Sequence, residues 1–260
     1  MAIALTGGIA CGKSTLAKFL RELGIRLLDA DDVVHELEAP GGAAVPAIAA
    51  RFGAGVLAAD GSVDRPKLAG IVFADAAARR DLEAILLPLV RSRLRAFTSE
   101  AARRGRRALP MVGPSFSDVP LVGADVLGRP PSTAPAPPST APAPPSTAPA
   151  PPPAASTSRP PPTDLPLAIA VIPLLFESHW EDDYDTILAI TSPLACQIRR
   201  MMQTRGYSRR QAEARLAAQM PAAEKAARAD FVVVNDSTPE HLREEAGRLY
   251  AWLKEKEQNI

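Results

Sequence analysis

The chain has 260 residues, 47% of them hydrophobic, enough to bury a sizeable core as one large domain or a core with subdomains. Thirty Lys and Arg against 29 Asp and Glu leave a formal charge of +1, which excludes a bulk electrostatic footprint for nucleic acid or an anionic membrane. Two distant cysteines, Cys11 and Cys196, form neither a disulfide framework nor a zinc site and suit a reducing compartment. No secretory leader is visible, because Ala2-Ile3-Ala4-Leu5 is needed as a strand, and the Leu165–Phe176 apolar run is too short for a bilayer. A cytoplasmic protein is the expectation.

In chain order, Ile3–Leu5 and Ile25–Leu28 are expected as buried strands with Ser14–Leu23 as the helix between them. Asp81–Phe97 repeats apolar residues at helical spacing. Strands alternating with helices imply an α/β fold with a parallel sheet. Residues 109–166 break the pattern. They hold 19 of the 27 prolines and three copies of Ser-Thr-Ala-Pro-Ala-Pro-Pro at 132–138, 139–145 and 146–152. Such repeats cannot be helical and read as an extended, disordered insertion. A spacer is the simpler expectation; a ligand for a proline-reading partner is the alternative, with only Arg129 and Arg159 as flanking charge. Beyond it, Leu167–Phe176, Thr186–Ile190 and Phe231–Val234 read as strands, and Pro193–Thr204, Ser208–Gln219 and Pro239–Lys254 as helices.

Gly7-Gly8-Ile9-Ala10-Cys11-Gly12-Lys13-Ser14 fits G-x-x-x-x-G-K-[ST], between a strand and a helix. Glycines there let successive N–H groups turn toward phosphate oxygens, and the helix N-terminus adds its positive end. Gly8, Ile9, Ala10, Cys11, Gly12, Lys13, Ser14 and Thr15 are therefore expected to bind ATP. Lys13 would reach the β/γ-phosphates, and the Ser14 hydroxyl would ligate Mg²⁺. Cys11 has two readings: a thiol activated by the helix N-terminus, or a small side chain whose amide matters.

Asp29-Ala30-Asp31-Asp32 follows the second strand, where α/β sheets bind substrates. One carboxylate would accept a hydroxyl proton or hold Mg²⁺ through water; the competing use is capping a helix that starts near Val33. Arg199, Arg200, Arg205, Arg209, Arg210 and Arg215 lie on two helical stretches joined by Gly206. One or two would belong to a lid closing over phosphates, the others to a solvated face.

Together, Leu5–Ile9, the phosphate loop, Asp29-Ala30-Asp31, Asp60–Arg65, Ile71–Phe73, Leu82–Ile85, Pro173–Glu177, Ala218–Pro221 and Asn235 resemble dephospho-CoA kinases, in order over about 200 residues. The resemblance implies transfer of the ATP γ-phosphoryl group to the ribose 3′-hydroxyl of dephospho-CoA, the last step of coenzyme A synthesis. It implies a P-loop core at residues 1–32, 167–192 and 223–260, a helical substrate domain at 33–108, and a lid at 193–222. It makes Asp31 the base and Lys13 and Arg200 the groups stabilising the transferring phosphoryl. Thr6, Asp29, Asp31 and Arg65 would meet the acceptor, and Asn235 would lie near the adenine. Three departures stand out: Leu87-Pro88 where the family commonly has His-Pro, Thr204 where a lid arginine is expected, with Arg205 one place later, and the insertion just before the Pro173 strand, where the family has a short connection.

Overall fold

The computed structural model describes residues 1–105 and 167–259; the proline-rich repeats and Leu109–Leu127 lie outside them. Five strands, β1 (Ile3–Gly7), β2 (Arg26–Asp29), β3 (Ala168–Val171), β4 (Thr186–Thr191) and β5 (Phe231–Val234), form one parallel sheet in the order β2-β3-β1-β4-β5. β1 is central, with Ile3–Leu5 opposite Ile169–Val171 and Ile3–Gly7 opposite Thr186–Ile190. A parallel sheet buried on both faces needs near-continuous apolar strands, and every residue of β1 and β3 is buried.

The two-residue period divides the core. Ile3, Leu5, Ile169, Val171, Leu188 and Ile190 pack with Leu16 and Leu20 of α1 (Lys13–Glu22) and with Leu242, Leu249 and Leu253 of α9 (Pro239–Gln258). Ala4, Ala170 and Ile172 face the other way, toward Val33 of α2 (Ala30–Glu38), Ile48 of α3 (Val45–Phe52), Leu68 of α4 (Arg65–Ala74) and Leu86, Val90 and Leu94 of α5 (Ala76–Gly105). The remaining α-helices, α6 (Leu194–Arg205), α7 (Arg209–Ala217) and α8 (Ala222–Ala227), connect β4 to β5 in the chain.

Three expectations need correcting. The strand expected over Leu167–Phe176 stops at Val171, with one further bond from the Ile172 amide to the Leu5 carbonyl at 2.8 Å. Pro173 has no N–H to continue a ladder, and its carbonyl accepts from side chains instead. The helix expected near Val33 begins at Ala30, because Asp29 caps it. The helix read over Asp81–Phe97 extends from Ala76 to Gly105 and runs through Pro88. Among the described residues, no helix is long and apolar enough to cross a membrane.

Candidate active site

The strand-to-helix turn after β1 is shaped by steric necessity. Gly12 caps α1 at φ 92°, a left-handed conformation that L side chains resist, and a Cβ there would collide with the Asn235 amide. A Cβ on Gly7 would strike the Ile190 carbonyl of the neighbouring strand. Ala10 holds φ 57° without being glycine, so outside contacts must keep it there.

Those contacts come from far along the chain. Arg200 on α6 donates through Nη1 to the Ala10 carbonyl at 3.2 Å and to Ser192 Oγ at 3.1 Å, and through Nη2 to Asn235 Oδ1 at 3.1 Å. Asn235, just past β5, donates Nδ2 to the Cys11 carbonyl at 2.8 Å. Two consecutive loop carbonyls are thus held from outside, and planarity turns the next amides, Cys11 and Gly12, the opposite way. Ile9 and Ala10 also pack against Ile198, Met201 and Ala212 of the α6–α7 hairpin.

Cys11 is fully buried, and burial pushes its thiol pKa up, which favours the reading of a small side chain whose amide matters. Ser14 and Thr15 lie exposed in the first turn of α1. Lys13 Nζ donates to the Gly7 carbonyl at 2.7 Å and the Gly8 carbonyl at 2.8 Å. Protein atoms surround this ammonium closely, and desolvation pulls its pKa down to about 8 despite the nearby Asp29 and Asp31.

The aspartate cluster divides its work. Asp29 Oδ1 accepts from the Asp31 amide at 3.0 Å, capping α2, and burial raises its pKa to about 6. Asp31 is left uncommitted by the cap. Burial raises its pKa, while Lys13, His35 and Arg205 oppose the rise. Asp32 is exposed.

The arginine cluster also divides. Arg200 turns inward, whereas Arg209 pairs with Glu213 at 2.8 Å and Arg215 lies over the Tyr207 ring at 4.5 Å. α6 ends at Arg205 with Gly206 at φ 66°, leaving Arg205 exposed yet within the electrostatic reach of Asp31. Thr204, in the expected arginine position, only donates back to the Arg200 carbonyl at 2.7 Å.

Thr6 and Arg65, expected to meet the acceptor, have internal partners here. Thr6 is fully buried and its hydroxyl donates to the Pro173 carbonyl at 3.3 Å. Arg65 pairs with the buried Glu38 at 2.7 Å. Leu87, 40% exposed, lines a cleft of about 430 Å³ with Pro88, Arg91, Ser92, Arg95 and Trp180. Sequence reasoning assigned no role to Lys225, which is fully buried beside Pro173 and Glu177. Gln197 and Ser192 were likewise missed; both are buried supports of the loop, Gln197 donating to the Ser192 carbonyl at 2.7 Å.

The family model for dephospho-CoA kinase matches residues 1–114 and 160–241, two segments that flank the triple repeat. The chain belongs to the dephospho-CoA kinase family. A dephospho-CoA kinase from Anaeromyxobacter dehalogenans is 36% identical over 252 residues, 97% of this chain and 92% of the relative. One from Geobacter sulfurreducens is 33% identical over 249 residues, 96% of each. Among solved structures, a Thermus thermophilus protein superposes with a TM-score of 0.61 at 27% identity, covering 98% of this chain and 97% of its own. The Campylobacter jejuni dephospho-CoA kinase, at 20% identity and a TM-score of 0.55, shares the fold. Family membership implies a kinase that uses ATP.

Proposed function

We propose that this chain transfers the γ-phosphoryl group of ATP to the ribose 3′-hydroxyl of dephospho-CoA, releasing coenzyme A and ADP. The observation that carries the reading is the placing of Asp31, free of the Asp29 cap, within the electrostatic reach of Lys13 at the end of a braced phosphate loop.

Loop amides receive the β- and γ-phosphates, and Lys13 exchanges the Gly7 and Gly8 carbonyls for phosphate oxygens. Asp31 accepts the proton of the acceptor hydroxyl as its oxygen bonds to the γ-phosphorus, and the bond to the β-γ bridging oxygen breaks, leaving ADP. The raised pKa of Asp31 improves its match to a hydroxyl that becomes acidic only as it reacts. Arg200 holds the loop and adds positive charge behind it, while Arg205 approaches as the α6–α7 hairpin closes as a lid. Asn235 holds the loop on the nucleotide side, and Asp29 and Arg65 organise the acceptor side through their partners.

Mg²⁺ would neutralise charge on the bridging phosphates. The exposed Ser14 hydroxyl fits it, since this cation takes one or two protein oxygens and completes its shell with phosphate and water. Among the described residues no three acidic, His or Cys side chains cluster as a metal cage, so the protein would contribute few ligands. Free cysteines agree with work in the cytoplasm.

A coupled ADP-release assay with ATP and Mg²⁺ tests the function. Dephospho-CoA should support turnover at least about 10²-fold faster than adenosine, pantetheine or shikimate. Turnover with another acceptor, and none with dephospho-CoA, would overturn the assignment.

A further inference from the structure

Lys225 on α8 is fully buried, and its partners are the Pro173 carbonyl and the Glu177 carboxylate. Its Nζ donates to the Pro173 carbonyl at 2.8 Å and lies 2.7 Å from Glu177 Oε1 and 3.0 Å from Oε2. Glu177 Oε1 also accepts the Met220 amide at 3.1 Å, in the turn between α7 and α8. The Pro173 carbonyl also accepts from the Thr6 hydroxyl near the end of β1. The ammonium binds the turn leaving β3 directly, and the end of β1 and the return of the α6–α7 hairpin join it one bond further on, through the Pro173 carbonyl and the Glu177 carboxylate. The far end of α8 is docked on the same β3 turn, with the Arg228 guanidinium 4.1 Å from the Phe176 ring centroid and paired with Glu181.

Burying an ion pair is a poor way to stabilise a fold, because apolar side chains of similar volume usually do as well or better. What an ion pair with carbonyl and amide partners supplies is directional rigidity. The return of the α6–α7 hairpin is held this way, while α6 meets the loop after β1 both through the apolar packing of Ile198 and Met201 near Ile9 and Ala10 and through the Arg200 hydrogen bond to the Ala10 carbonyl. The Lys225 ammonium is fully buried and held on three oxygens.

We propose that Lys225 and Glu177 are positioning residues, a fixed post on which the α6–α7 hairpin pivots when it closes over ATP. The inference rests on the reading of that hairpin as a lid. The pair acts on phosphoryl transfer through the path of closure and touches neither ATP nor acceptor. The Lys225 charge also lies near enough to Lys13 to help depress its pKa, so the post stands beside the phosphate site.

The test compares the parent with the apolar pair Lys225→Met/Glu177→Leu and the conservative Lys225→Arg. The apolar pair should melt within about 3 °C of the parent, since the ion pair is replaced by packed side chains. Its kcat should fall at least about 10-fold with the KM for ATP within about threefold, the split expected when closure fails but open-state binding survives. Lys225→Arg should recover at least half of the parental kcat. Hydrogen exchange at 206–212 reads the lid directly: a non-hydrolysable ATP analogue should slow it in the parent and in Lys225→Arg, but not in the apolar pair. Parental kcat in the apolar pair, or equal protection, overturns the proposal. If the parent itself gains no protection, the lid reading fails and the post with it, while the kinase assay stands apart. Should the apolar pair not fold, Glu177→Gln, which keeps an acceptor for the Met220 amide without the charge, decides: kcat within twofold of the parent overturns the proposal.

Discussion

Asn235 Nδ2 donates to the Cys11 carbonyl at 2.8 Å, joining the end of the last strand to the loop after the first across 224 positions. The same amide occupies the space that a side chain on residue 12 would need, so the glycine and the asparagine form one steric unit. Asn235→Ala strips the Cys11 carbonyl of its partner and removes the Oδ1 acceptor of Arg200. A buried polar group left unpaired costs about 1–3 kcal/mol. The Kd for ATP should therefore rise about 10-fold or more, measured by calorimetry, with a smaller loss of thermal stability. Unchanged ATP affinity would show that the loop does not depend on this brace.

Lys13→Ala should lower kcat by on the order of 10²–10³, because one charge on the transferring group is lost from a preorganised site. Turnover within about threefold of the parent would remove its role. The ammonium also predicts a pH effect on the ligand-free protein. Its pKa is about 8 when folded and 10.5 in its ordinary state, so between those values the unfolded chain binds more protons. Stability contributed at this site is therefore flat below about pH 8 and rises with pH up to about 10.5. Lys13→Met should abolish that rise in a series of melting curves, and a parallel slope in both proteins would contradict it.

Asp31→Asn should lower kcat by about 10²-fold or more while leaving ATP affinity within about threefold, since the amide keeps the shape but cannot accept the proton. Asp32→Asn, at an exposed position, is the internal comparison and should be milder. Steady-state kinetics with the effects reversed would assign the base to Asp32.

Arg200→Ala should reduce kcat/KM for ATP by about 10²-fold, because hydrogen bonds from a charged group are worth about 1.5–3 kcal/mol and this one holds Ala10 in its left-handed conformation. Arg205→Ala removes an exposed side chain that influences Asp31 from a distance, and should cost about threefold to 10-fold, mainly in kcat. Comparable, negligible losses in both would reduce the cluster to a solvated helix face.

What the sequence alone determined was local. The strand–turn–helix around Gly7–Ser14 was legible because its glycines act through neighbours a few residues away, and Gly12 takes a left-handed turn at the start of α1. Strands β1, β2, β4 and β5 were readable from apolar runs for a similar reason. The boundary errors came from outside the local pattern. Asp29 drew α2 three residues forward by capping it, and Pro173, lacking an N–H, ended β3 where the run Ile172–Phe176 still looked like strand. Among the three aspartates, composition could not say which capped and which stayed free; the bond from the Asp31 amide to Asp29 decided it. Tertiary structure alone assigned the supports: Arg200 on Ala10, Asn235 on Cys11, and Lys225 on Pro173 and Glu177. These pairs are set by the strand order β2-β3-β1-β4-β5, which brings β3 and β4 beside β1 and gathers turns far apart in sequence at the C-terminal ends of the parallel strands. No periodicity encodes such contacts, because each partner is ordinary in its own stretch of chain and gains its role only by what the fold places opposite it.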